Sequence, residues 1–349
     1  MNIEKRIEAF AKLGNDIENI IKIIQNKDNL KNEYSSYVEL IRTEHIYNPW
    51  FTQDNIIKAL NSIRENLIEE DLTKWIKPYY TELQNGKIQN VAVIMAGNIP
   101  LVSFHDILSV LITGNKLIAK VSSQDKNLPI MIFDLLYKIN PQFKSLISIE
   151  NRLSNYDKVI ATGSNNSSRY FDFYFGKKPI ILRKHRNSIA VINGNETKEE
   201  LSLLGNDLFT YFGLGCRNVS KIYIPEFYDI NNILNNILEH SEIVNHNKYG
   251  NNYDYYKTIF MMNSLEIIDN GFVLFKKDDS IHTPVAVVNY QYYENIEEVS
   301  NIIMKNIEQI QCVVNQNNIF ANSVRFGQTQ NPKLHDYSDA INTLEFLLN

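Results

Sequence analysis

Between residues 91 and 164, short apolar runs alternate with stretches of helical period, and this alternation constrains the fold more than any other feature. Val91–Met95 is β-branched at Val91, Val93 and Ile94 and stops at Gly97-Asn98. Lys116–Val121 and Lys158–Ala161 are runs of the same kind, the last followed by Thr162, Gly163 and Ser164. Runs this short and this continuously apolar are expected of strands buried on both faces. Between them, Pro100–Leu111 sets Phe104, Ile107, Leu108 and Leu111 on one side of a helix closed by Gly114-Asn115. Leu128–Tyr137 predicts a second helix. Strand, helix, strand, helix, strand is half of a doubly wound parallel sheet of the nucleotide-binding kind, so an α/β fold is expected.

The flanks are read by the same periods. Residues 1–85 are expected to be helical, with Ile7, Phe10, Leu13, Ile17, Ile20, Ile21 and Ile24 on one face and Leu60, Ile63, Leu67 and Leu72 continuing the pattern up to Pro78. Downstream, Pro179–Leu182, Ile189–Ile192, Val219–Ile224 and Val285–Asn289 read as strands. Glu199–Phe212 reads as a helix ended by Gly213–Cys216, and further helices are expected near 231–239 and 296–309. The change of period near 183–195 marks the expected domain crossing.

Several function classes are excluded at this stage. The formal charge of −5 carries no basic stripe, so no nucleic-acid partner is expected. No run reaches the roughly eighteen uncharged apolar residues of a spanning helix, and the first fourteen residues lack the apolar region of a secretory signal. A cytoplasmic protein with reduced thiols is the expectation. Two cysteines, Cys216 and Cys312, cannot build a disulfide scaffold or a four-cysteine zinc site. The seven histidines are scattered, and no HExxH, GxSxG, P-loop or GxGxxG pattern occurs, so no metal site is expected.

Four segments can carry chemistry. Ala96–Pro100 joins a strand to a helix; Asn98 there is either an amide donor at an anion site or a helix N-cap. Thr162, Gly163 and Ser164 follow the third strand and either approach a pyrophosphate or form a plain turn. Gly213–Asn218 sets Cys216 in a glycine-rich turn beside Arg217 and Asn218, which suit a stabilised thiolate; a structural cysteine is the alternative. Arg183–Arg186 is a basic cluster, suited to phosphates or to a solvated turn. Cys312, in the apolar run Ile310–Val314, reads as structural.

Taken in order, these segments resemble the aldehyde dehydrogenase superfamily and, within it, the LuxC family of acyl-CoA reductases, over roughly residues 90–345. The resemblance implies a Rossmann-type cofactor domain plus an α/β catalytic domain. It divides the chain into an N-terminal helical region (1–85), a cofactor-binding domain (86–188 with 325–349) and a catalytic domain carrying the cysteine (189–324). It makes Cys216 the nucleophile and Asn98 the oxyanion-hole amide. Lys120 would contact the adenosine ribose, and Thr162, Gly163 and Ser164 the pyrophosphate. The tail segments Val324–Gln330 and Asp336–Ala340 are the part most particular to the acyl-CoA reductases.

Three departures from the superfamily pattern refine this. Leu182 stands where the oxidising enzymes keep a general-base glutamate, and a leucine cannot activate water. Ser280–Pro284 replaces a segment whose glutamate holds the nicotinamide ribose. Ser123 replaces a glutamate that selects NAD, so NADPH is permitted and NADH is possible. The implied reaction is reduction of a long-chain fatty acyl-CoA to the aldehyde through an acyl-cysteine. The alternatives are an acyl-transfer or partner-binding subunit without reductase activity, or a reductase for another activated acyl group. A homo-oligomer or an acyl-transfer partner is compatible with the resemblance.

Overall fold

The computed structural model describes residues 1–26, 33–163, 171, 174–317, 319–320 and 322–349. The chain forms two compact units, Met1–Lys184 with Pro332–Asn349, and His185–Asn331.

The first unit begins with five helices: α1 (Ile3–Gln25), α2 (Ser35–Tyr47), α3 (Gln53–Glu65), α4 (Glu69–Ile76) and α5 (Tyr80–Asn85). The side chain of Asn2 caps α1 by accepting from the Lys5 N–H at 3.0 Å, satisfying one of the unpaired donors at a helix start. Pro78 sits in a single tight turn between α4 and α5, so the helical pattern resumes after it. A parallel five-stranded sheet follows, in the order β3-β2-β1-β4-β5: β1 (Asn90–Ile94), β2 (Lys116–Lys120), β3 (Ile147–Ile149), β4 (Lys158–Thr162) and β5 (Ile180–Arg183). Helices α6 (Phe104–Ile112) and α7 (Asn127–Ile139) make the crossovers.

Burial on both faces explains the unbroken apolar runs. Val91, Val93, Leu117, Ala119 and Ile160 share one core with Ile7, Phe10, Leu13, Ile17 and Leu60 of the helices. Ala92, Ile94, Ile118, Val159 and Ala161 form a second cluster. The N-terminal helices therefore do not form a region with a core of its own; their apolar stripe packs in the same core as the sheet.

The second unit holds a six-stranded sheet in the order β11-β6-β7-β10-β9-β8, comprising β6 (Asn187–Val191), β7 (Val219–Pro225), β8 (Ile267–Asp269), β9 (Leu274–Lys277), β10 (Val287–Tyr293) and β11 (Ile310–Val314). All neighbours are parallel except β8 and β9. One core contains Ala190, Ile222, Ile224 and Leu201, Leu204 and Leu208 of the helix Lys198–Phe209. Another holds Ile189, Val191, Tyr223 and Val299. The chain passes from the first unit to the second at residues 184/185 and returns to the first at 331/332.

No helix among the described residues is long and apolar enough to cross a membrane.

Candidate active site

In a parallel sheet, ligands bind at the carboxyl ends of the strands, at the point where the strand order reverses. In the first unit that point lies between β1 and β4. The loop after β1 carries Asn98; β2, the neighbour on one side, ends at Lys120, and β4, on the other, ends at Thr162 and is followed by Gly163. All four residues are half-buried, and Ser123, beyond β2, is exposed. The Lys120 ammonium meets no hydrogen-bond or ion-pair partner among the described residues. Ser164, also assigned to the pyrophosphate, lies outside the described residues.

The loop after β1 is held from below. Its Leu101 takes a left-handed φ of 54°, and the Leu101 N–H donates to Oδ2 of Asp125 at 2.7 Å. Consequently α6 begins only at Phe104, with Ser103 at the N-cap position, and Asn98 is not the cap that one sequence reading offered. Gly97 is required here, because a Cβ would stand 2.5 Å from Ser122 Oγ. Asp125 is 1% exposed, and its Oδ1 has no partner among the described residues. Burial pushes its carboxyl up to about 7, against the lowering effect of the Leu101 N–H.

That shift has a definite sign. The folded carboxyl binds its proton more tightly than the unfolded one, so stability falls as pH rises from about 4 to about 7. Asp125→Asn keeps an acceptor for Leu101 and removes the charge. Its unfolding free energy, relative to the parent, is expected to improve through that window, by on the order of 4 kcal/mol at most above pH 7. Denaturant melts at pH 5 and pH 8 check this; an equal difference at both pH values would contradict it.

The basic cluster at 183–186 is neither solvated nor a phosphate site at Arg183. Arg183 is buried, with Nη2 2.7 Å from Oδ1 of Asp106 and Nε 3.2 Å from Oδ2. It also donates to the Ser338 carbonyl and to Thr343 Oγ1. This pair ties the C-terminal tail to α6. His105 Nε2 donates to the Leu334 carbonyl at 2.9 Å, and its ring packs against Trp75 and Tyr337. Both are fastenings of the fold. Leu182 packs against the cluster of Val159 and Ala161, an apolar contact with no proton to exchange.

Cys216 lies in the second unit and is half-buried; neither it nor Cys312 is in a disulfide. Cys312 is buried on β11 within the core. The turn leading to Cys216 is unusual. After the helix Lys198–Phe209, Tyr211 (φ 54°), Phe212 (φ 58°) and Gly213 (φ 75°) are all left-handed. Two of these are bulky aromatic residues, at a cost of about 1–2 kcal/mol each.

Tertiary contacts hold the turn in place. Tyr211 is buried, and the Phe212 ring packs against His246 with centroids 4.3 Å apart and planes tilted by 33°. Asn218, 2% exposed, closes the loop: its Oδ1 accepts from the Gly215 N–H at 2.9 Å, and its Nδ2 donates to the carbonyls of Asp207 and Thr210 at 3.0 and 2.8 Å. Ser188 Oγ donates to the Cys216 carbonyl at 3.1 Å. The Asn218 amide is thus committed to the loop backbone and is not a thiolate donor, contrary to the sequence reading. Arg217 Nε donates to the Thr329 carbonyl at 2.6 Å.

Sequence reasoning missed Asp207. This carboxylate is fully buried and accepts from the Gly327 N–H (2.7 Å), the Thr329 N–H (3.1 Å) and Thr329 Oγ1 (2.8 Å). Burial raises its carboxyl to about 6, with these bonds and the nearby Arg217 cation opposing the rise. Asp207 therefore joins the helix before Cys216 to the tail turn Arg325–Gln330. The available signal was an acid three residues after Leu204 on an otherwise apolar helical face.

Among the described residues, no group of three or more His, Cys, Asp or Glu side chains is arranged to hold a metal ion.

Two α/β units built on mainly parallel sheets, one with a crevice at a strand-order reversal and one with a cysteine on a strained turn, have the fold of the aldehyde dehydrogenases. An aldehyde dehydrogenase from Physcomitrella patens, solved with the reaction product succinate, is 12% identical with a TM-score of 0.63; the match covers 90% of this chain and 73% of that one. An aldehyde dehydrogenase from Bacillus cereus in complex with NAD+ is 14% identical, with a TM-score of 0.62 and coverages of 91% and 73%. One from Mycobacterium tuberculosis, also complexed with NAD+, gives 13%, 0.60, 90% and 73%. The model of the acyl-CoA reductase (LuxC) family matches residues 3–230, and the chain belongs to that family. No curated protein matches the sequence.

Proposed function

We propose that this protein reduces a long-chain fatty acyl-CoA to the aldehyde, using a nicotinamide dinucleotide and an acyl-cysteine formed on Cys216. The observation that carries the reading is the placement of a half-buried cysteine on a loop whose left-handed residues and Asn218 clamp fix its backbone. Family membership supports the reaction class, and the NAD+ complexes of structurally similar aldehyde dehydrogenases support the cofactor class.

The residues present fit a dinucleotide. A lysine ammonium with no partner among the described residues and a strand that ends at Thr162, just before Gly163, flank the β1–β4 reversal, where phosphates and ribose are ordinarily received. Lys120 would hold the adenosine ribose, and Thr162 and Gly163 the pyrophosphate.

In this reading the Cys216 thiolate adds to the thioester carbonyl of the substrate. The developing oxyanion is received by the Cys216 N–H and the Asn98 amide; one such donor is ordinarily worth about 3–4 kcal/mol. The C–S bond to coenzyme A breaks, its thiolate takes a proton, and the acyl group remains on Cys216. A bound reduced nicotinamide supplies the hydride for the acyl carbon. The resulting thiohemiacetal alkoxide collapses directly: its oxygen re-forms the carbonyl, the carbon–sulfur bond to Cys216 breaks, and aldehyde leaves as the Cys216 thiolate is restored. Leu182 offers no base to activate water, so hydrolysis of the acyl-cysteine to the acid is disfavoured.

The test is NADPH oxidation with a long-chain acyl-CoA, followed with aldehyde release. Acyl transfer to a nucleophile without NADPH or NADH oxidation would instead make the chain an acyl-transfer subunit. Cofactor choice has its own test. Ser123→Glu sets a carboxylate against the 2′-phosphate, and the NADPH-to-NADH ratio of kcat/KM is expected to fall at least about tenfold. An unchanged ratio would remove Ser123 from the cofactor site.

A further inference from the structure

A second candidate site lies in the first unit, at the amino ends of its strands, opposite the ends that carry Lys120 and Thr162. Arg6, on α1, is 6% exposed. Its guanidinium makes no hydrogen bond or ion pair among the described residues, and its Nε is fully buried without an acceptor. It rests on the turn between α6 and β2, where Gly114 has φ +86° and a Cβ would stand 1.7 Å from Nη1. Burial lowers the pKa of Arg6, and the nearby Glu4 only partly offsets this. A buried cation with no hydrogen-bond or ion-pair partner among the described residues, and only partial compensation from Glu4, is unfavourable, so this arrangement calls for an anion.

The space to hold one is present. Arg6 lines a cavity of about 430 Å³, within the range of small-ligand sites. Ile3, Leu83, Leu146 and Leu347 supply apolar wall, and Thr113 and Asn115 supply polar groups. The charged groups Glu4, Glu82 and Lys87 also line it, but they are exposed and screened by solvent. Gly114 and Asn115 precede β2, Lys87 precedes β1 and Leu146 precedes β3, so the cavity sits at the amino ends of the strands. Lys120, Thr162 and Gly163 are at the carboxyl ends, so this is not the proposed cofactor site.

We propose that the cavity binds an amphiphilic anion, a carboxylate or phosphate on an aliphatic chain, with its head on the Arg6 guanidinium and its chain along the leucine wall. Arginine suits either head, because its planar fork pairs with two oxygens at once. The inference stands independently of the proposed reaction.

Calorimetric titration of the full chain with decanoate, decyl phosphate and inorganic phosphate tests it. At least one decyl compound is expected to bind at least tenfold more tightly than inorganic phosphate, and the preferred one identifies the head. Arg6→Gln is expected to weaken that binding at least tenfold. Arg6→Met is expected to melt, without ligand, no lower than the parent, because it removes an unpartnered charge, and to lose the ligand-induced rise in Tm. Equal binding of inorganic phosphate, no binding of either decyl compound, binding that survives in Arg6→Gln, or a lower Tm for Arg6→Met would each overturn the assignment.

Discussion

Cys216→Ala is expected to lose acyl-CoA reductase turnover by on the order of 10⁴-fold or more, while Tm stays within about 2 °C of the parent and cofactor still binds. Removing a covalent nucleophile eliminates the route rather than weakening it, which is why such losses exceed those at positioning residues. Stability changes little because the side chain is small and half-buried and the loop is held by Asn218, Phe212 and Ser188. Steady-state NADPH oxidation, with Tm measured by calorimetry, reads both effects. A variant retaining more than about one-hundredth of the rate would place the nucleophile elsewhere.

The second large effect is structural in origin. Asn218→Ala is expected to lower stability by about 3 kcal/mol or more, because it leaves the Gly215 N–H and the carbonyls of Asp207 and Thr210 without their partner in a buried setting. The turn it closes is intrinsically unfavourable at Tyr211 and Phe212, so releasing the clamp lets the loop relax away from its working shape. A fall in Tm of roughly 4 °C or more is expected, with a loss of turnover even where the protein remains folded. Asn218→Asp keeps the acceptor for Gly215 but turns a carboxylate towards two carbonyl oxygens, so it should rescue little. An Asn218→Ala protein with unchanged Tm and unchanged kcat would show that the loop needs no clamp.

Legibility in the sequence followed the range of the interactions. β1, β2 and β4 were visible because burial on both faces makes each a continuous apolar run. β3 was not: three residues, Ile147–Ile149, of which only Ile147 is buried, leave no periodic signature. The helix Asn247–Met262 was missed because its composition is polar and rich in tyrosine, with few buried positions. The late start of α6 depends on a left-handed leucine, Leu101, and nothing local marks a non-glycine residue for that conformation. Likewise Gly213 signalled a turn, but Tyr211 and Phe212 gave no sign of joining it.

Arg183 was grouped with its basic neighbours because its partner, Asp106, lies 77 residues away. Asp125 and Asp207 escaped for the same reason: each acts through backbone donors distant in the chain. The candidate residues Asn98, Lys120, Thr162 and Gly163 were legible because loops after parallel strands are where a doubly wound sheet exposes small and polar groups. Their roles stem from the resemblance.

The central claim is that Cys216 carries the acyl group, and intact mass spectrometry after mixing with a long-chain acyl-CoA, with neither NADPH nor NADH present, tests it most directly. The account predicts a mass increase of one acyl group, mapped to the peptide containing Cys216, discharged on adding reduced cofactor and absent in Cys216→Ala. An acyl group on any other residue, or aldehyde formation with no adduct at any time, would contradict it.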